Sequence, residues 1–239
     1  MSAASESAGV AAPRPVSSFN LTLLNLAKDL RLEWRSKDSF NAMAFFALLV
    51  VVIFSFSFDP SAEESRQMAG AIIWVGFLFA SVVALNQSWA RELRNQVLDA
   101  YRVSAASPAA LFIGKAVGNF LFVALVEALV TPLFVAFYNL RSLGPPWQLV
   151  IVFLLGTWAL VVNGTFFAAL SLRTRNRELM LPLLLFPISI PALLSMVQAT
   201  TGILTAEFSP MLSLKLLAGY DIVFTTAGLL LFDTVLNAE

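Results

Sequence analysis

Trp89-Ala-Arg-Glu-Leu-Arg-Asn-Gln-Val-Leu-Asp-Ala-Tyr-Arg-Val-Ser-Ala-Ala-Ser-Pro-Ala-Ala-Leu-Phe-Ile-Gly-Lys115 decides how this chain is read. Almost everything on either side is apolar enough to sit in lipid, and this stretch is not. It carries Arg91, Glu92, Arg94, Asp99 and Arg102, then Pro108, then Lys115 at the mouth of the next apolar segment. Val97, Leu98 and Tyr101 follow Arg94 at spacings of three, four and seven, a one-sided apolar pattern with helical period. The stretch therefore predicts a short amphipathic helix between two membrane spans, offering a surface for another protein to push on.

Outward from this stretch, composition sets the class. Of 239 residues, 59% are hydrophobic and 13% charged, with a mean hydropathy of +0.81. A soluble domain carries about a quarter charged residues. The excess of apolar surface predicts an all-α, polytopic membrane protein. Net charge is zero, so nothing points to nucleic acid. There is no Cys and no His. Disulfides, thiolate metal sites and Cys nucleophiles are excluded, as are the commonest metal ligand and the usual general base. No Gly-x-x-x-x-Gly-Lys-Ser/Thr phosphate loop is present, so ATP is not bound by that route. The expectation is a non-enzyme with no cofactor or metal of its own.

Residues 1–18 are rich in Ala, Ser and Pro and read as a disordered tail rather than a signal peptide. Residues 19–239 are expected to form one six-span transmembrane domain, with 89–107 as its polar cytoplasmic connection. Between Asn20 and Lys37, Leu23, Leu26, Ala27, Leu30 and Trp34 fall at helical spacing among charged residues. This predicts a helix lying in the membrane interface; a cytoplasmic extension of the first span is the alternative. Six apolar segments follow, at about Phe40–Phe58, Met68–Ser88, Ala109–Tyr138, Trp147–Leu172, Leu179–Leu204 and Leu214–Leu236. Each is near the roughly 20 residues that cross about 30 Å of hydrocarbon. The third is longer than a span needs, so Pro108 to Lys115 is expected to form an elbow. Asp221 lies inside the sixth window, which places it near the outer interface or makes that span start later.

Lys and Arg set the orientation. With the N-terminus in the cytoplasm, 12 of the 15 lie inside, and only Arg66, Arg141 and Lys215 lie outside. Both termini are therefore expected to be cytoplasmic.

Few polar residues stand inside the spans. Glu127 lies in the third, where an ionised carboxylate near the bilayer centre costs about 2.5–3.5 kcal/mol on insertion scales. It reads either as part of a conduit or subunit contact, or as a buried, hydrogen-bonded structural carboxyl. Pro182, Pro187 and Pro191 interrupt the fifth span and suggest a bent helix, as a hinge or a fixed kink. Pro132 gives the third span a single kink. Arg173, Arg175, Arg177 and Glu178 form the turn between spans four and five, which fixes topology or makes a second contact with a cytoplasmic partner.

Two motifs carry a resemblance. Arg91-Glu-Leu-Arg, the apolar-faced helix, Ser107-Pro108 and Gly114-Lys115 resemble the coupling region of type-2 ABC exporter permeases. The Gly usual in that motif is here Gln96 or Val97. The second motif, from Phe167-Ala-Ala-Leu-Ser-Leu-Arg-Thr-Arg-Asn-Arg-Glu into Leu181-Pro-Leu-Leu-Leu-Phe-Pro-Ile-Ser-Ile-Pro191, is more specific. It resembles the cytochrome c maturation permease family known as haem exporter protein B. Leu30-Arg-Leu-Glu-Trp-Arg, Ile72-Ile-Trp-Val and Glu127 with Thr131-Pro132 fit the same family, over residues 20–236.

The resemblance implies a permease subunit of an ABC transporter in the bacterial inner membrane, acting in cytochrome c biogenesis. ATP would be held by a separate ATP-binding subunit, and two permease copies would pair as a homodimer. Haem would be handled by the complex through a haem-handling membrane subunit and a periplasmic haem chaperone. ATP hydrolysis would drive haem delivery or release of the loaded chaperone. Arg91, Glu92, Arg94 and Arg102 would make polar contacts with the ATPase, and Leu98 and Tyr101 would fill a groove. A type-2 ABC permease exporting a drug, lipid or polysaccharide is the alternative. A membrane scaffold without an ATPase partner is a third reading, opposed by the charged, apolar-faced stretch after Trp89.

Overall fold

The structure is a computed structural model, and it describes residues 22–23, 26–28, 31, 37–57, 63–94, 107–172, 174 and 176–237. Among the described residues every regular element is helical. Six long helices follow one another: α1 Asp38–Ser57, α2 Glu63–Arg94, α3 Pro108–Phe137, α4 Pro146–Ser171, α5 Arg177–Thr205 and α6 Met211–Asn237. All six are long and apolar enough to cross a membrane. Helices are the form such segments must take, because hydrocarbon offers no partner for a free backbone N–H or C=O. Six crossings return the end of α6 to the side where α1 begins. Among the described residues, most of the Lys and Arg lie on that side.

Helix ends follow local chemistry. Proline occupies the first position of α3 and α4, at Pro108 and Pro146, where its missing N–H removes nothing from the ladder. α5 closes on Ala206 in the left-handed conformation, its N–H donating to the Gly202 carbonyl. The last turn of α5 is pinned to the loop ahead of α4, since Gly144 N–H donates to the Ile203 carbonyl at 2.9 Å.

α2 and α4 form the centre. Within the chain, 72% of the apolar window of α2 and 56% of that of α4 is buried, against 17–33% for the other four. α2 packs against α1, α3, α4 and α5, and α4 against α2, α3, α5 and α6. Small residues let the central helices approach. A side chain at Gly156 would collide with the buried Trp74 ring, and one at Gly164 would collide with Leu85. Trp74 stacks on Phe153 at 5.3 Å and donates its ring N–H to Thr200 Oγ1 at 2.9 Å, joining α2, α4 and α5. A second cluster on the basic side gathers Leu85, Trp89, Phe112, Leu181, Leu185 and Phe232. Large apolar side chains such as Phe45, Leu183, Leu216 and Leu230 point away from the bundle, as lipid contact requires.

Two sequence expectations change. α3 runs unbroken from Pro108, so its first turns are not an elbow. α5 is one helical element with Pro182, Pro187 and Pro191 inside it, and α3 is one with Pro132 inside it. α2 extends to Arg94, so Arg91, Glu92, Leu93 and Arg94 end the second helix rather than begin a separate one. At 1.5 Å per residue its 32 residues span about 48 Å. This exceeds the hydrocarbon thickness, so its last turn stands clear of the apolar window that ends at Ala90.

Candidate functional site

The last turn of α2 meets the second turn of α3 in a buried ionic cluster. Trp89 and Glu92 are three residues apart and share one helix face. Trp89 is buried, and its ring N–H donates to the Thr165 carbonyl at 3.0 Å. Asn119 donates to Thr165 Oγ1 at 3.0 Å, so α2, α3 and α4 are tied at one level. Lys115 reaches across from α3, its Nζ 5.4 Å from the Trp89 ring and 2.7 Å from Glu92 Oε1. The same oxygen accepts Lys28 Nζ at 2.6 Å, from the helical residues ahead of α1. Those residues dock a second time, where Thr22 Oγ1 donates to the Ala110 carbonyl at 3.2 Å.

Glu92 and Lys115 side chains are 5% and 4% exposed, and Lys28 is 33% exposed. Burial works against the charged carboxylate, but the two ammonium groups outweigh it and hold the Glu92 carboxyl below its ordinary value. This corrects the sequence expectation for Glu92. Its carboxylate is engaged inside the chain and is not a surface contact for a partner. Lys115, read only as the mouth of the third span, is its principal counter-ion. Nothing in the local sequence links Lys28 to Glu92, which lie 64 positions apart.

The remaining sequence candidates divide by place. The backbones of Arg91 and Arg94 lie in the last turn of α2. Leu98, Tyr101 and Arg102 lie outside the described residues, in the segment 95–106 that joins Arg94 to Ser107. That segment is anchored at both ends to the Glu92–Lys115 foot. Arg173 and Arg175 also lie outside the described residues. Arg177 opens α5, and Glu178 is exposed in its first turn, where a negative charge suits the helix dipole.

At membrane depth the structure places Glu127 between α3 and α4, almost wholly buried, with Thr157 donating to its Oε2. Among the described residues Glu127 Oε1 has no partner. Pro187 and Pro191 stand beside a cross-link that hydropathy alone does not reveal. Asn163 of α4 donates to Tyr220 Oη at 2.9 Å, and that hydroxyl donates to the Ile188 carbonyl of α5 at 2.9 Å. Asp221 falls inside the apolar helix Met211–Leu236. It is the eleventh residue of α6, about 15 Å along the axis from Met211. Its carboxylate is buried in the bundle without a partner among the described residues.

The sequence pattern of one family, described as CcmB protein, matches residues 20–235. The chain belongs to the CcmB family. Relatives agree across most of the length. "Heme exporter protein B" of Rhodobacter capsulatus is 33% identical over 169 residues, 71% of this chain and 77% of that protein. The protein of the same name from Paracoccus denitrificans is 31% identical over the same shares of the two chains. That from Pseudomonas aeruginosa is 28% identical over 73% of this chain and 78% of its own. As a CcmB protein with six apolar helices, the chain is a multi-pass membrane protein and belongs with transporter permease subunits rather than with enzymes.

Proposed function

We propose that this CcmB-family chain is the permease subunit of an ABC transporter complex in cytochrome c biogenesis. It lies in the bacterial inner membrane with both termini in the cytoplasm, as the Lys and Arg distribution favours. ATP is bound and hydrolysed by a separate ATP-binding subunit. The permease pairs with a second copy and works beside a haem-handling membrane subunit and a periplasmic haem chaperone. ATP hydrolysis drives haem delivery, or release of the loaded chaperone.

One observation carries the mechanical part. α2 ends at Arg94 and α3 begins at Pro108, and the Glu92–Lys115 pair joins these two ends, so segment 95–106 connects two helices fastened to one foot. A push on that segment is therefore delivered to the central helix α2, which touches four others and can move them as rigid bodies. Leu98 and Tyr101 supply the apolar contact with the ATPase, and Arg91, Arg94 and Arg102 its polar rim. Arg173, Arg175, Arg177 and Glu178 stand in the other turn on the same side, as a second contact. The test is co-purification of the ATP-binding subunit with the tagged permease. Wild type should retain it, and Leu98→Asp with Tyr101→Asp should lose it while still inserting. Equal recovery by the double variant contradicts the assignment.

A further inference from the structure

We infer that the N-terminal helical residues around Lys28 are a working part of the drive, fastened to the foot of α2 and α3 as one lever. The inference rests on the proposed coupling to an ATPase and extends it to a segment outside the coupling region.

Glu92 and Lys115 are buried together, so parting them would strand the Lys115 ammonium away from water and leave Glu92 with Lys28 alone. That contact stays closed, and the feet of α2 and α3 move as a unit. Lys28 joins the same carboxylate oxygen, and Thr22 joins the Ala110 carbonyl one turn ahead of Lys115. Two separated contacts fix both position and rotation of the N-terminal residues. Leu23, between them, keeps its apolar side chain 45% exposed, which suits the membrane interface. Segment 95–106 is covalently continuous with this foot at both ends, so its displacement carries the N-terminal residues with it. Lys28 is the positioning residue, acting through Glu92. The lever spreads a cytoplasmic push along the membrane interface instead of through α2 alone.

The experiment uses the complete complex in membranes, with the ATP-binding subunit present. Lys28→Met keeps the stem and leaves Glu92 paired with Lys115, so the bundle should fold. It should lower the amount of c-type cytochrome matured per ATP hydrolysed at least fivefold, and Lys28→Arg should restore it. The chain has no cysteine, so Thr22→Cys with Ala110→Cys adds the only thiols in this chain. Linking that pair with a short dithiol-reactive reagent should leave both activities within twofold of the unlinked complex, because these residues do not separate during the cycle. A Lys28→Met complex that matures cytochrome as efficiently as wild type overturns the lever. So does a linked complex that stalls. A wild-type chain that recovers no ATP-binding subunit instead overturns the proposed function, and the lever with it.

Discussion

Glu92 and Lys115 meet at 2.7 Å where α2 and α3 leave the membrane, each side chain about 95% shielded from solvent. A buried pair of this kind adds little net stability over a well-packed apolar pair, yet breaking it by removing one partner costs about 3–5 kcal/mol. Lys115→Met should therefore lower the thermal unfolding midpoint of the detergent-solubilised protein markedly. Replacing both residues together, as Glu92→Met with Lys115→Met, should recover most of the loss. An unchanged midpoint in the single variant would mean that the two groups do not depend on each other.

The same pair predicts a pH dependence. The Glu92 carboxyl is held below its ordinary value of 4.5 in the folded protein. A depressed folded-state value stabilises fully above the unfolded-state value and is lost as pH falls through the folded one. The unfolding midpoint should thus show no Glu92 contribution to its slope above about pH 5, and should fall in more acid solution. In Glu92→Gln this acid-side fall should be shallower. Identical acid limbs in the two proteins would remove Glu92 from the account.

Tyr220 links three helices through one hydroxyl, accepting from Asn163 and donating to Ile188. Hydrogen bonds between membrane helices are worth about 0.6–2 kcal/mol each. Tyr220→Phe removes both without changing the ring. It should lower the unfolding midpoint and increase proteolysis of α5 near its prolines. A variant as resistant as wild type would show that α5 does not depend on the Tyr220 cross-link.

The fold was legible in the sequence because each span is a long apolar run, and lipid leaves a helix as the only open choice. The site was legible only in part. Trp89 to Lys115 announces a polar excursion, but hydropathy cannot say which of its charges turn inward. Glu92 does, because Lys115 and Lys28 wait there, and Lys28 is remote in sequence. The prolines of α5 have a neighbour that the sequence does not reveal. Each removes a donor, yet the helix continues where a neighbour such as Tyr220 bonds beside the gap. Asp221 stands out in the sequence by its charge alone, and it is buried where α6 turns that face onto the bundle.

The central claim is that this CcmB-family permease serves cytochrome c biogenesis, and haem staining of covalently bound c-type cytochromes tests it most directly. Membranes from a strain lacking the gene should show no c-type bands, and a plasmid copy should restore them all. Normal bands in the deletion strain would contradict the account and leave a type-2 ABC permease with another cargo.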